Sequence, residues 1–202
     1  MESLQRSLNE EAVQEFKGIK KNDTLDLSGV QKYTSFILLK KKSLFGYVYF
    51  FERRRDDDSF GGKLALFGGS RDPDKPESSH EAILDNELGE ELGLEGILEG
   101  FISKFYLISK RENGEETATE VFALEEKVSS KLRLGKLQNA QQRHVRKAPN
   151  DPVGKVVKIR RVGLNWWWFK GWRNLTPIAA FAVLTDWRND VVLHNKFRKT
   201  RK

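Results

Sequence analysis

Glu87, Glu90 and Glu91 are the residues whose type and spacing point most directly to chemistry. Positions three and four apart on an α-helix share a face, so the three carboxylates converge if this segment is helical. Like charges at that spacing weaken an isolated helix by roughly a few tenths of a kcal/mol per pair, which leaves the cluster in need of a partner. A hard divalent cation is the natural one. Carboxylate oxygens suit magnesium or manganese, and magnesium usually keeps several waters and completes its shell with substrate phosphates. Metal-assisted phosphate chemistry is therefore the first expectation, and an acidic helix face turned to solvent is the bland alternative.

The elements that must position these carboxylates are legible around them. KLALFGGS reads as a strand, Lys63 to Phe67, that enters the twin glycines Gly68 and Gly69. A helix is expected to follow, because Leu84, Leu88 and Leu92 repeat every four residues and form a stripe that can be buried apart from the acids. Gly93 stands just past the last periodic residue, where a C-terminal cap belongs.

This stretch, Gly68 to Leu94, resembles the box of the Nudix family, G-x5-E-x7-R-E-U-x-E-E-x-G-U with U an aliphatic residue. Glu87, Leu88, Glu90, Glu91, Gly93 and Leu94 fall on its E-U-x-E-E-x-G-U positions. Asn86 stands where the family has arginine, and Ser78 where it has the upstream glutamate; Glu77 is one residue away and is the candidate to act in its place. Counted from Gly69, the turn is about three residues longer than the pattern. The resemblance implies an α/β fold, an α/β/α sandwich around a mixed sheet. It also implies a magnesium- or manganese-dependent hydrolase acting on a phosphoanhydride in a nucleoside diphosphate linked to another group. The implied metal ligands are Glu87, Glu90 and Glu91, with the Gly69 carbonyl as a further one. Relatives often take another ligand or a general base from a glutamate downstream of the box, and Glu120 is the first candidate here because it lies within a strand; Glu90 is the other candidate base. An exposed strand position is the alternative for Glu120. Many relatives dimerise, which leaves a homodimer open.

Composition sets the bounds. At 202 residues the chain can bury one well-formed domain. No stretch approaches the roughly 18 apolar residues of a membrane span, MESLQRSLNEEAVQEF has no secretory core, and cysteine is absent, so a soluble cytoplasmic protein without disulfides or thiolate metal sites is expected. Net charge is +7 but unevenly placed. From Lys127 onward there are nineteen Lys or Arg against three acids, whereas Met1 to Glu126 carries seventeen against twenty-six. An acidic half suited to metal thus precedes a basic half suited to polyanions, and the partners this admits are a nucleotide-type small molecule and RNA. A merely solubilising surface is the alternative.

Along the chain, Leu4, Leu8, Ala12 and Phe16 predict a short amphipathic helix closed by Gly18, and residues 1–30 read as that helix plus a polar connector. Residues 31–190 read as the main domain and 191–202 as a basic tail. Tyr33 to Leu39 and Leu44 to Phe51 read as strands. Arg53 to Gly62 then reads as a charged loop whose Arg53, Arg54 and Arg55 either bind phosphate or are neutralised by their own aspartates; Arg53, Arg55 and Glu77 are the candidate substrate contacts. Phe101 to Lys110 and Thr117 to Leu124 bracket an Asn-Gly turn, the signature of a hairpin. Lys127 to Pro152 carries no acid before Asp151 and offers no base; His144, between basic neighbours, reads as a surface residue. Val157 and Ile159 mark a further strand. Trp166, Trp167, Trp168, Phe169 and Trp172 are aromatic enough to stack nucleobases or to form core and patch. Thr176-Pro177 announces a second helix, IAAFAVL, to cover the sheet's other face.

Overall fold

The computed structural model describes residues 13–19, 30–44, 46–57, 60–71, 79–94, 96, 100–111, 115–147, 153–160 and 174–187. In chain order these form β1 (Val13–Ile19), β2 (Lys32–Ser43), β3 (Gly46–Arg53), β4 (Leu64–Ala65), β5 (Phe67–Ser70), α1 (His80–Leu92), β6 (Phe101–Arg111), β7 (Glu116–Leu124), α2 (Glu126–Ser129), α3 (Leu134–Lys147) and β8 (Lys155–Arg160). A last helix, α4, spans 177–187.

One sheet connects the strands in the order β1, β6, β7, β2, β3, β4, with β5 on β2 and β8 on β3. The β2–β7 pair is parallel and every other pair antiparallel, so the sheet is mixed. β2 is long enough to have two partners on one side. Its residues Leu39 to Ser43 pair with β3, and Thr34 to Ile37 pair with β5. The chain from 64 to 70 therefore forms two short strands rather than one, crossing from β3 to β2 at Leu66. This crossing carries the twin glycines onto β2 beneath α1.

Side-chain alternation sorts the core into two layers. Ile37, Leu39, Phe67 and Phe122 pack under Leu84, Leu88 and Leu92 of α1, joined by Leu137 of α3. The alternate residues Leu38, Tyr49, Phe51 and Val121 pack under Ala179, Ala180, Ala182 and Val183 of α4. The expected α/β/α sandwich is thus present. Leu88 is fully buried, so Leu88→Ala is expected to cost about 2–5 kcal/mol in chemical denaturation, the range for a truncated core leucine that leaves a cavity.

Both ends of α1 are capped, the C-terminal one at Gly93 as expected. Ser79 Oγ accepts the Ala82 N–H at 3.2 Å, and Gly93 takes the left-handed conformation (φ 62°) in which its own N–H reaches Gly89 O and the Leu94 N–H reaches Leu88 O. Thr176 precedes α4, its carbonyl accepting from Ala180 at 2.9 Å, while its N–H donates to Leu64 O. Asp186 pins the far end of α4, accepting from Tyr49 Oη at 2.9 Å and from Lys40.

Two expectations are corrected. Val13–Ile19 is a strand on β6, where a helix through Phe16 with Gly18 as its cap was expected; six register pairs from Val13↔Arg111 to Ile19↔Tyr106 hold it. An open sheet edge offers backbone partners that a marginal short helix does not, and tertiary pairing overrides a four-residue apolar spacing. Leu4, Leu8 and Ala12 lie outside the described residues, as do the tryptophan-rich segment 161–173 and the tail 191–202. The second correction is α3, in a segment for which only charge was read. Leu134, Leu137, Ala140 and Gln141 give it an inward stripe.

Candidate active site

Gly69, Ser35, Glu120 and Tyr106 are register partners across four strands, β5, β2, β7 and β6. Partners in one row face the same side of a sheet, and this row faces α1. With adjacent strands about 4.8 Å apart, Gly69 and Glu120 are separated by roughly 10 Å.

At the Gly69 end the fit to α1 is close. A Cβ built on Gly69 would fall on the Glu87 carboxylate, 2.5 Å from its carbon. The glycine therefore leaves the space in which this carboxylate lies against backbone. Gly68 is tighter still: at φ 127°, its missing Cβ would strike the Ser35 carbonyl oxygen. Glu87 and Glu91 are half-buried and Glu90 is exposed. Asn86 is exposed as well. Among the described residues, no three carboxylate, imidazole or thiolate groups stand close enough together to form a preassembled metal site. The donors are nonetheless hard oxygens, and magnesium is commonly held by one or two carboxylates together with water and substrate phosphate. Glu87 beside Gly69, with Glu90 and Glu91 on the same helical face, fits that mode.

Glu120 is not an exposed strand residue. It is 2 % exposed and accepts a hydrogen bond from the Tyr106 hydroxyl. Burial first, then that hydrogen bond and the Glu120 and Glu81 charges, push the Tyr106 phenol well above its ordinary range, so it stays a neutral donor.

Sequence reasoning missed the residues around this pair. His80, the first residue of α1, has Nδ1 2.9 Å from Ser35 Oγ, and its ring meets the edges of Tyr33 and Tyr106 at centroid distances of 5.5 and 5.9 Å. Arg71 lies over the Tyr33 ring at 4.1 Å. The one signal available was that His80 directly follows the Ser79 cap. Ser35 and Tyr106 announce nothing until the register is known.

Burial, as the largest cause, holds the His80 imidazole below its ordinary 6.5; Arg71 adds to this, while a hydrogen bond with the Thr34 backbone and the charge of Glu81 oppose it. Below pH 6.5 the unfolded chain gains this proton before the folded chain does. The stabilisation is therefore complete above the unfolded value and is lost as pH falls toward the lowered folded one. Tm is expected to decline from about pH 7 to about pH 5, with His80→Gln showing a shallower decline. An equal slope in the variant would assign the decline to other groups.

Of the expected substrate contacts, Arg53 ends β3 and is exposed. Arg55 is held by Asp57, with Nε at 3.0 Å and a second nitrogen at 2.5 Å from its two oxygens. Arg55 thus follows the self-neutralised alternative. The same guanidinium, hydrogen-bonded first and charged second, keeps the Asp57 carboxyl below its usual value. Glu77 and Ser78 lie outside the described residues.

No protein-family model matches the chain, and no curated protein matches it. Solved structures do. A MutT/nudix family protein from Listeria innocua is 16% identical, over 78% of this chain and 96% of that one, with a TM-score of 0.43. A MutT/nudix family protein from Enterococcus faecalis is 17% identical over 50% of this chain, which spans 39% of its length, with a TM-score of 0.40. RenU, a Nudix hydrolase from M. smegmatis, is 17% identical over 66% of this chain and 96% of its own, with a TM-score of 0.35. These proteins bear the name of the family whose box the sequence resembles. No helix among the described residues is long and apolar enough to cross a membrane.

Proposed function

We propose that this protein is a metal-dependent Nudix-type hydrolase that cleaves a phosphoanhydride bond in a nucleoside diphosphate linked to another group, and that it works in the cytoplasm. The observation that carries the reading is the seating of the Glu87 carboxylate on Gly69, with Glu120 two strands away in the same row. Glu87, Glu90 and Glu91, with the Gly69 carbonyl, are the groups that would hold the cation. A magnesium or manganese ion, when bound, supplies neutralising charge to the pyrophosphate oxygens.

The chain's own residues do the rest. Glu120 or Glu90 takes the proton of the attacking water. Tyr106 donates to Glu120 and fixes its orientation, while Ser35 and His80 brace the N-terminal turn of α1 against the same row. Arg53 contacts the substrate beyond the scissile bond, with Glu77 as the further candidate from the sequence.

A second reading has one specific observation in its favour. The box position that carries arginine in the family is an exposed asparagine here, which brings no charge to orient a glutamate. A catalytically impaired Nudix-like module that binds nucleotide or RNA through its basic C-terminal half would fit that feature. Assaying nucleotide sugars, dinucleotides and nucleoside triphosphates with magnesium and with EDTA separates the two. Magnesium-dependent release of nucleoside monophosphate from one class supports the hydrolase; binding without turnover across the panel supports the module.

A further inference from the structure

A cleft of about 1010 Å³ contains no residue of the box helix. Its walls are the turn after β3, the C-terminal half of α3 and the start of β8. Five cationic side chains line it against two aspartates. Internal pairing accounts for part of that charge: Arg55 takes Asp57, and Arg54 pairs with Glu52. Arg53, Arg146 and Lys155 are exposed and have no ion-pair partner among the described residues.

The wall also carries a donor without an acceptor. Gln141 is 5 % exposed, and its Oε1 accepts the Val156 N–H at 2.8 Å while the neighbouring Gln138 donates to Val156 O at 3.0 Å. These two amides close the outer edge of β8. Gln141 Nε2, however, is buried with no hydrogen-bond partner among the described residues. An unmatched buried amide donor costs about 1–3 kcal/mol, so a ligand oxygen that meets it is favoured.

The rim opposite is built rather than loose. The Arg54 N–H reaches Lys63 O at 2.8 Å, the Gly62 N–H reaches Arg54 O at 3.1 Å, and a Cβ on Gly61 would collide with the Asp56 backbone. Phe60 is held at φ 65°, which is unfavourable for a bulky residue and is stored only where surroundings impose it.

We infer that this cleft binds the oligophosphate arm of a nucleotide-type ligand, with Arg53, Arg146 and Lys155 on its oxyanions and the Gln141 amide on a further oxygen. Three cations without an ion-pair partner among the described residues exceed what the remaining cleft carboxylate, Asp56, neutralises, and guanidinium groups match phosphoryl oxygens with paired hydrogen bonds. The volume suits a mononucleotide or a dinucleotide. The inference deepens the proposed reading by giving the substrate's far end a place, and it rests on that reading only for the ligand being a substrate.

Calorimetry in EDTA with inorganic tripolyphosphate and ATP tests it without catalysis. Both are expected to bind the wild-type chain and to bind Arg146→Ala/Lys155→Ala at least about tenfold more weakly, as expected when charge-assisted contacts are lost. These two side chains are exposed, and thermal unfolding of the double variant verifies that it folds. Equal affinity in the variant, no binding by wild type, or binding of a single-stranded RNA but not of tripolyphosphate overturns the inference. Metal-free binding in a chain that hydrolyses nothing sinks the enzymatic reading and leaves the cleft. Hydrolysis with no cleft-dependent binding does the reverse.

Discussion

Replacing Glu90 with glutamine is expected to lower the rate of magnesium-dependent pyrophosphate-bond hydrolysis about 10²-fold or more, the scale for removing a metal-holding or proton-accepting group. Position 90 makes this a clean measurement. Glu90 is exposed, so the isosteric change removes charge without disturbing the leucine stripe. Removing one of three neighbouring negative charges relieves helix repulsion by a few tenths of a kcal/mol, roughly, so Tm should hold or rise slightly. Activity lost while stability is kept is a pattern that a solvated acidic face cannot produce. Steady-state kinetics beside a melting curve decides it, and a variant as active as wild type refutes the role given to Glu90.

The twin glycines should separate in the opposite way. Gly68→Ala places a methyl group on the Ser35 carbonyl oxygen and 3.0 Å from Phe36 Cα, at a φ of 127° that side chains rarely adopt. Neither backbone atom can step aside without breaking the β2–β5 pairing, so a loss of about 3 kcal/mol or more is expected, from strain and overpacking together. Gly69→Ala first meets the end of a flexible side chain, the Glu87 carboxylate. That carboxylate can swing away, so the expected cost in stability is below about 1 kcal/mol, while activity falls because Glu87 leaves the metal face. Urea denaturation and turnover measured on both variants test the contrast. Similar stability in the two would show that the β5 backbone is not seated on β2 as described.

The parts of this structure that depend on neighbours in sequence were legible before any coordinates. The carboxylates of α1, its leucine stripe, the Gly93 cap, the antiparallel pairing of β6 with β7 and the start of α4 at Thr176-Pro177 all follow from local spacing, turn and capping chemistry. What was not legible depends on pairing between distant segments. Glu120 is buried because β7 lies between β2 and β6, a fact carried by residues 32–38 and 101–111 rather than by its own surroundings. His80 meets Ser35 across forty-five positions of chain, and a serine in a strand gives no sign of such a partner. β1 was mistaken for helix because a spacing of four residues is compatible with either state once an edge strand is free to pair. α3 was hidden by composition: Gln138, Gln141, Arg143 and Arg146 look like solvated charge and polarity, yet the two glutamines serve the β8 edge while the arginines stay exposed. The cleft is the consequence of that helix, so it too was invisible.

Hydrolysis as proposed requires a divalent ion held between the box carboxylates and a substrate's phosphates. Crystals grown with magnesium and a non-hydrolysable nucleoside diphosphate analogue test this most directly. The predicted result is an ion in contact with Glu87 and at least one of Glu90 and Glu91, at the roughly 2.0–2.1 Å of magnesium–oxygen bonds, and also with a phosphoryl oxygen. Bound analogue with no ion on these side chains would contradict it.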